Sequence, residues 1–454
     1  MAAPLTLKTA LRAGNSARLA FVGAGGKTTA LFHLAYDYSA GVLVTTSTHF
    51  SFHQSRYADQ RQIIRSAADL IPLFEEEING VILLTGELIE NNRISGLSPA
   101  LLDNLKHYAD RFKLPLLIEA DGSRTFPLKA PADHEPAIPD WVNQVVVVAG
   151  MKGIGQPLDG EHVHRPELFA ALSELPVGDA VTPEALVKVL VHPDGGLKHI
   201  PFGARRSVIL NQADSPASQA AAASISPKLL VAYDDVLITA LKDPEAPIKA
   251  VYTPVAGIIL AAGGSSRLGG DSKMLLDWQG ELFIHKVART ALEAGLDPVV
   301  VVAGAQSDRV VAAVRDLPVA ISLNSAWETG QSSSIRRGLE ALPAKCGGTL
   351  FLLGDQPQVN PTIIRALIEE HCKSLGPIIA PLVEGKRANP VLFDRSTFTD
   401  LGSLQGDVGG RALFSKYPVT WLSWNDSLLL MDVDTQEDYQ RLLDTYQSMS
   451  DYEG

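Results

Sequence analysis

Two stretches of this 454-residue chain have the residue types and spacing to hold phosphate groups. In residues 257–273, GIILAAGGSSRLGGDSK, the apolar run 258–261 predicts a short buried strand. It leads into a loop with almost no side chains: Ala262, Gly263, Gly264, Ser265 and Ser266, then Gly269 and Gly270. Backbone N–H groups of such a loop can approach an anion closely, because glycine carries no Cβ and tolerates positive φ. Arg267 and Lys273 add the cations that a triphosphate needs. The loop fits neither the G-x-G-x-x-G nor the G-K-[ST] pattern, and an ordinary glycine-rich βα turn is the bland alternative.

The second stretch is strand LAFVG, then Gly23-Ala24-Gly25-Gly26-Lys27-Thr28-Thr29, then helix ALFHLA. It reads G-x-x-G-K-T-T, one glycine short of a full Walker loop because Phe21 stands at the first position. The short spacing resembles the phosphate loops of Mur-type ligases. Gly26 and the helix N-terminus supply N–H donors, Lys27 a phosphate charge and Thr28 a magnesium ligand. Gly23, Gly25 and Thr29 complete this candidate nucleotide-binding set, which would take ATP or GTP.

Other chemistry sits at the ends of predicted strands. Thr45, Thr46, Ser47, Thr48 and His49 follow an apolar run, as ligand groups in α/β sheets do, although threonine also simply favours strands. The apolar run 114–118 ends in Glu119 and Asp121, the placement by which carboxylates reach magnesium. Lys129, His134 and Glu135, then His162, His164 and Arg165, fall in polar segments. SVILNQAD, residues 207–214, is similar to the base-reading N-K-x-D, with Gln212 in place of the lysine. Towards the C-terminus, Ser332 and Ser333 open a predicted helix, where they could hold an anion or ribose hydroxyls, or one could simply cap it. Asp355 ends the strand 348–353 between Gly354 and Pro357, either as a metal ligand or as a turn cap.

Composition limits the partners. Hydrophobic residues make up 46% and charged residues 20%, as in soluble globular proteins, and the length suits two or three domains. A net charge of -12 with no basic run argues against nucleic acid and gives no handle for an anionic membrane. No apolar run is long enough to span a bilayer. Cys346 and Cys372 fit no disulfide or zinc pattern, and a cytoplasmic location is expected. Lys8, Arg12, Arg18 and Lys27, without an acid in the first 35 residues, have the look of a transit peptide. Cleavage there would cut into the Gly23 loop, so an ordinary amphipathic start is the better reading. Residues 243–254 carry three prolines and no clear period, which predicts a boundary between domains at residues 1–246 and 254–454.

Residues 260–273 resemble the LAAGxSxRxGxxK signature of the MobA/MocA-like nucleotidyltransferases. That resemblance implies an NTP wrapped by Leu260, Ala261, Ala262, Gly263, Gly264 and Ser265, with Arg267 at the β- and γ-phosphates and Lys273 at the α-phosphate. Ala262 is similar to the cytidylyl-transferring branch, where the guanylyl branch has a glycine. Four further segments follow in the family's order over residues 255–445: Asn324–Ser334, with Ser325 where proline is usual; Gly354-Asp355-Gln356-Pro357; Arg387-Ala388-Asn389-Pro390 with Gly406–Arg411; and Met431–Tyr439. They imply Mg²⁺ on Asp355 and Asp434, and an acceptor held by Arg387, Asn389, Pro390, Asp407 and Arg411.

Residues 5–245, through GAGGKTT, VTTSTHF, EADGSRTFPLKAPADHEP and HVHRPE, resemble the YqeC family, associated with selenium-dependent molybdenum hydroxylases. The expected protein is a P-loop-like α/β domain followed by a Rossmann-like nucleotidyltransferase domain. It would transfer CMP from CTP to molybdenum cofactor, with a molybdenum hydroxylase as the protein partner. The rivals are another phosphate acceptor, an NAD(P)H-dependent reductase on the same fold, and a non-catalytic cofactor chaperone.

Overall fold

A computed structural model describes residues 5–75, 78–90, 92–264 and 272–450, without the side chains of 74 and 446–450. The chain divides into two compact units, Met1–Tyr252 and Thr253–Gly454. Among the described residues no helix is long and apolar enough to cross a membrane.

The first unit is built on a nine-stranded sheet. Its elements are β1 (Arg18–Gly23), α1 (Lys27–Tyr36), β2 (Val42–Thr46), β3 (Gln60–Ile63), β4 (Val81–Thr85), α2 (Pro99–Phe112), β5 (Leu116–Glu119), β6 (Gln144–Gly150), β7 (Arg205–Asn211), α3 (Pro216–Leu229), β8 (Asp235–Thr239) and β9 (Ile248–Tyr252). The strand order is β9-β8-β7-β6-β1-β5-β2-β4-β3. All neighbours are parallel except the edge pair β8·β9. Central strands β2, β4, β5 and β6 are buried along their whole length, as continuous apolar runs covered on both faces must be. Strand β1 lies between β5 and β6, so the chain crosses over it, and the C-terminal ends of such strands form a ligand crevice. The stretch 243–254 is not wholly a connector: its second half is β9, a half-buried edge strand.

The second unit holds β10 (Val255–Ala261), α4 (Phe283–Glu293), β11 (Val299–Ala303), β12 (Ala320–Leu323), α5 (Gln331–Glu340), β13 (Gly348–Leu353), α6 (Pro361–Ser374), β14 (Ile378–Val383), β15 (Lys386–Arg387), β16 (Val391–Asp394), β17 (Val419–Ser423) and α7 (Gln436–Ser450). The order is β12-β11-β10-β13-β16-β14-β15, with β17 beside β14. Strands β12, β11, β10 and β13 are parallel, and β16 reverses the direction. In α6 the cap is explicit: Asn360 Oδ1 accepts from Thr362 and Ile363 N–H at 3.0 and 3.2 Å, and Pro361 starts the helix. Leu260 and Leu353 are register partners at the ends of β10 and β13, so the loops that follow both strands emerge side by side.

Backbone crowding fixes the loop after β1. Gly25 has φ +82°, and a Cβ there would lie 2.3 Å from the Gly150 nitrogen. Gly155 has φ +79° with nothing within 4 Å of a Cβ, so it separates backbone strain from collision. Gly155→Ala should cost about 1–2 kcal/mol. Gly25→Ala should cost at least about 3 kcal/mol. Equal shifts of the two variants in chemical denaturation would contradict this packing.

Candidate functional site

In the first unit the loop after β1 faces a cleft of about 780 Å³, lined in part by Gly25, Gly26, Lys27, Thr28 and Thr29. Asn211, at the end of β7, donates from Nδ2 to the Gly25 carbonyl at 2.8 Å, while its Oδ1 accepts from Thr239 Oγ1 and Leu241 N–H. The first residue of the N-Q-x-D segment thus clasps the glycine loop, and Asp214 pairs with Lys152 at 2.9 Å. Thr28 Oγ1 donates to Glu119 Oε2 at 2.7 Å. Burial pushes the Glu119 carboxyl above its ordinary range, with Lys27 and Thr28 offsetting only part of that.

Lys27 is 3% exposed and donates to the Gly23 carbonyl at 2.7 Å. Its ammonium also lies 3.1 Å from Asp121 Oδ1, within ion-pair range but without hydrogen-bond geometry, so that buried oxygen has no hydrogen-bond partner. Asp121 Oδ2 accepts from Lys129 at 2.8 Å, and Lys129 also bonds Glu135 at 2.9 Å. Arg165 grips both oxygens of Glu135, at 2.6 and 3.1 Å. A chain of alternating charge therefore runs Lys27–Asp121–Lys129–Glu135–Arg165. Burial alone would raise Glu135, but the Arg165 and Lys129 bonds outweigh it and hold its pKa at about 2. Burial, aided by Arg165, Lys129 and Arg124, pushes His164 down to about 4, leaving it neutral at pH 7.

In the second unit two clefts meet. One, of about 570 Å³, is lined by Ala262, Gly263, Gly264, Trp327, Ser334 and Asp355. The other, of about 380 Å³, is lined by Gln356, Arg387, Asn389, Arg411 and Asp432. Leu260, Gln331 and Leu353 line both. Gly264 leaves room for Trp327, whose ring would lie 2.9 Å from a Cβ. Lys273 is buried and pairs with Asp434 Oδ1 at 2.5 Å. Burial raises the pKa of Asp355, and Asp432 and Asp434 add to that while Lys273 opposes it. Among the described residues no three His, Cys, Asp or Glu side chains group to hold a metal ion. A magnesium ion needs fewer when phosphate oxygens and water complete its octahedron, so the Asp355 side of the first cleft fits one.

Several sequence expectations change in detail. Ser332 Oγ donates to the Gly406 carbonyl and Ser333 Oγ to the Gly330 carbonyl, so both hydroxyls are engaged with backbone, and Ser334 is the serine that lines the cleft. Asp407, expected on the acceptor side, lines the Asp355 cleft, because its carboxylate accepts from the Gln331 N–H at the α5 N-terminus. Pro390 lines neither cleft, unlike its neighbours Asn389 and Val391. Ala261 is buried within β10. The roles assigned to Ser265 and Arg267 lie outside the described residues. Trp327 and Gln331 belong to the Asn324–Ser334 segment that the sequence singles out without assigning either an individual role, and both line the cleft.

The Glu135 pairings set a pH dependence. Because its folded pKa is depressed, Glu135 stabilises the unit fully above its ordinary pKa of 4.5, and that contribution is lost as pH falls towards about 2. The stability difference between wild type and Glu135→Gln should therefore be constant above pH 5 and shrink between pH 4.5 and about 2. A difference unchanged across that window in chemical denaturation would refute the pairing.

Known proteins match both halves. Residues 19–167 match the family described as YqeC protein, and residues 257–421 the MobA-like NTP transferase domain. The uncharacterized protein YqeC of Escherichia coli is 34% identical over 199 residues, 43% of this chain and 75% of that protein. Nicotine blue oxidoreductase of Paenarthrobacter nicotinovorans is 32% identical, over 42% of this chain and 96% of that protein. A probable molybdenum cofactor guanylyltransferase of Bacillus cytotoxicus is 28% identical over the same shares. A crystal structure of Rv0371C complexed with manganese, from Mycobacterium tuberculosis, is 28% identical with a TM-score of 0.38, over 42% of this chain and 99% of that one. The chain thus belongs to the YqeC family in its first unit and is, in its second, a MobA-like nucleotidyltransferase.

Proposed function

We infer that the second unit transfers CMP from CTP to the terminal phosphate of molybdenum cofactor, with pyrophosphate leaving, in the maturation of a molybdenum hydroxylase. The observation that carries this reading is the pair of clefts sharing Leu260, Gln331 and Leu353. A nucleotide in the Ala262–Gly264 cleft and an acceptor beside Arg387, Asn389 and Arg411 would meet at that shared wall. Both arginines are exposed, and a guanidinium suits bidentate contact with a phosphate. Little covalent chemistry is asked of the protein, so catalysis rests on positioning and charge neutralisation. Mg²⁺, with Asp355 and Asp434 as its protein ligands, would neutralise the triphosphate. Lys273 would exchange its Asp434 partner for the α-phosphate. Arg267 completes the proposed set.

In the first unit we place Mg²⁺ and ATP or GTP at Gly23, Gly25, Gly26, Lys27, Thr28 and Thr29. Support comes from the cleft, the α1 N-terminus and the Thr28–Glu119 pair. A second reading of the other unit, an NAD(P)H-dependent reductase, draws on the similarity to nicotine blue oxidoreductase.

Pyrophosphate release by the full chain with Mg²⁺ and molybdenum cofactor, compared across CTP, GTP and ATP, tests the assignment. CTP should support turnover, and Asp355→Ala should lower it by about a hundredfold or more without unfolding the protein. Turnover with GTP alone would reverse the base assignment drawn from Ala262. Oxidation of NAD(P)H without pyrophosphate release would favour the reductase.

A further inference from the structure

One wall of the first unit's cleft, next to the glycine loop, is built from residues that the nucleotide reading leaves without a task. At about 780 Å³ the cleft falls in the upper part of the range of roughly 300–1,000 Å³ typical of small-molecule sites. That wall carries Arg124, Phe126, His164 and Arg165. The segment 121–127 joins it directly to the loop, because the Phe126 carbonyl accepts from Gly25 N–H at 3.0 Å. The Phe126 ring stacks on His164 at 5.8 Å between centroids, 9° from parallel. Leu128–Lys129 pairs in parallel with Val163–His164, so His164 is held at the register of Lys129.

Charge points to the kind of ligand. Glu135 is already neutralised by Lys129 and Arg165, and the fork of Arg165 on Glu135 leaves its Nε without a hydrogen bond among the described residues. Arg124 is exposed, and no hydrogen bond or ion pair occupies its guanidinium among the described residues. His164 is neutral at pH 7, so it can donate one hydrogen bond without adding charge. Four non-glycine residues of the cleft, Arg124, Thr125, Arg165 and Gln212, have left-handed backbones with φ of 47°, 68°, 65° and 62°. Each such conformation costs of order 1–2 kcal/mol.

We propose that Arg124, His164 and Arg165 form an oxyanion subsite beside the phosphate loop, for a second small-molecule substrate bearing a phosphate or carboxylate group. The first unit is then a two-substrate site and not a bare nucleotide hydrolase. The proposal rests on the phosphate-loop reading for the identity of the neighbouring ligand, and on the Arg124 wall for its own. Arg165 also anchors Glu135, so substituting it would perturb folding. Arg124 has no such duty and makes the cleaner probe.

The test titrates inorganic phosphate into the full-length protein by calorimetry, alone and with Mg²⁺ and a non-hydrolysable ATP analogue. Wild type, Arg124→Gln, His164→Gln and Lys27→Ala are compared. Phosphate binding should persist in Lys27→Ala and weaken about tenfold in Arg124→Gln, with analogue affinity unchanged by Arg124→Gln. Acetate titrated in the same way separates a carboxylate ligand from a phosphate ligand. Phosphate binding that disappears in Lys27→Ala, or that is equal in wild type, Arg124→Gln and His164→Gln, would overturn the subsite. So would the absence of saturable binding by either anion. Analogue binding indifferent to Lys27→Ala would instead refute the phosphate-loop reading, leaving the Arg124 comparison to decide the subsite.

Discussion

Each unit buries a lysine ammonium next to a glycine loop and must keep it neutralised. Lys27 is 3% exposed and Lys273 8% exposed, and an isolated charge so placed would cost several kcal/mol. Asp121 answers the first and Asp434 the second. Much of the surrounding architecture follows from holding those carboxylates in place. Asp121 is fixed by Lys129 and by the Gly23 N–H, and Lys129 in turn requires Glu135 and Arg165. Asp434 is brought to Lys273 from 161 residues away in the chain. In both units the resting ion pair meets that constraint within the chain itself.

The sheets give those loops a common setting. Both follow a central parallel strand, and in each unit the neighbouring strand delivers an acid close by, Glu119 beside β1 and Asp355 beyond β13. The close backbone approach around Gly25 and the contact of Gly264 with Trp327 leave no space for larger side chains. In the second unit the direction reverses at β16, and Arg387, Asn389, Val391 and Phe393, in and just before that strand, line the smaller of the two clefts. One sheet thus carries a parallel half and a reversed half.

What the sequence made legible was local. In the first unit a strand, a glycine loop and a helix follow one another within residues 18–36, encoded by apolar runs and absent side chains, whereas after β10 the next α-helix among the described residues begins only at Phe283. Strand-end acids such as Glu119 and Asp355 were visible for the same reason. Pairings between distant residues were not: Asn211 with Gly25, Lys273 with Asp434, and Arg165 with Glu135 are set by tertiary packing. The edge strand β9 was hidden because its half-buried positions give no clean alternation and prolines flank it. Ser332 and Ser333 had the right residue type, but only the fold shows that carbonyls of Gly406 and Gly330 already accept from their hydroxyls.

In the proposed reaction a nucleotidyl group, and not a phosphoryl group or a hydride, crosses between the two clefts of the second unit. Labelled CTP tests this most directly, with ³²P at the α-position in one reaction and at the γ-position in another. The label should pass to molybdenum cofactor from the α-position and appear in pyrophosphate from the γ-position. Label from the γ-position on the acceptor, or both labels remaining in CTP while the cofactor is bound, would contradict it.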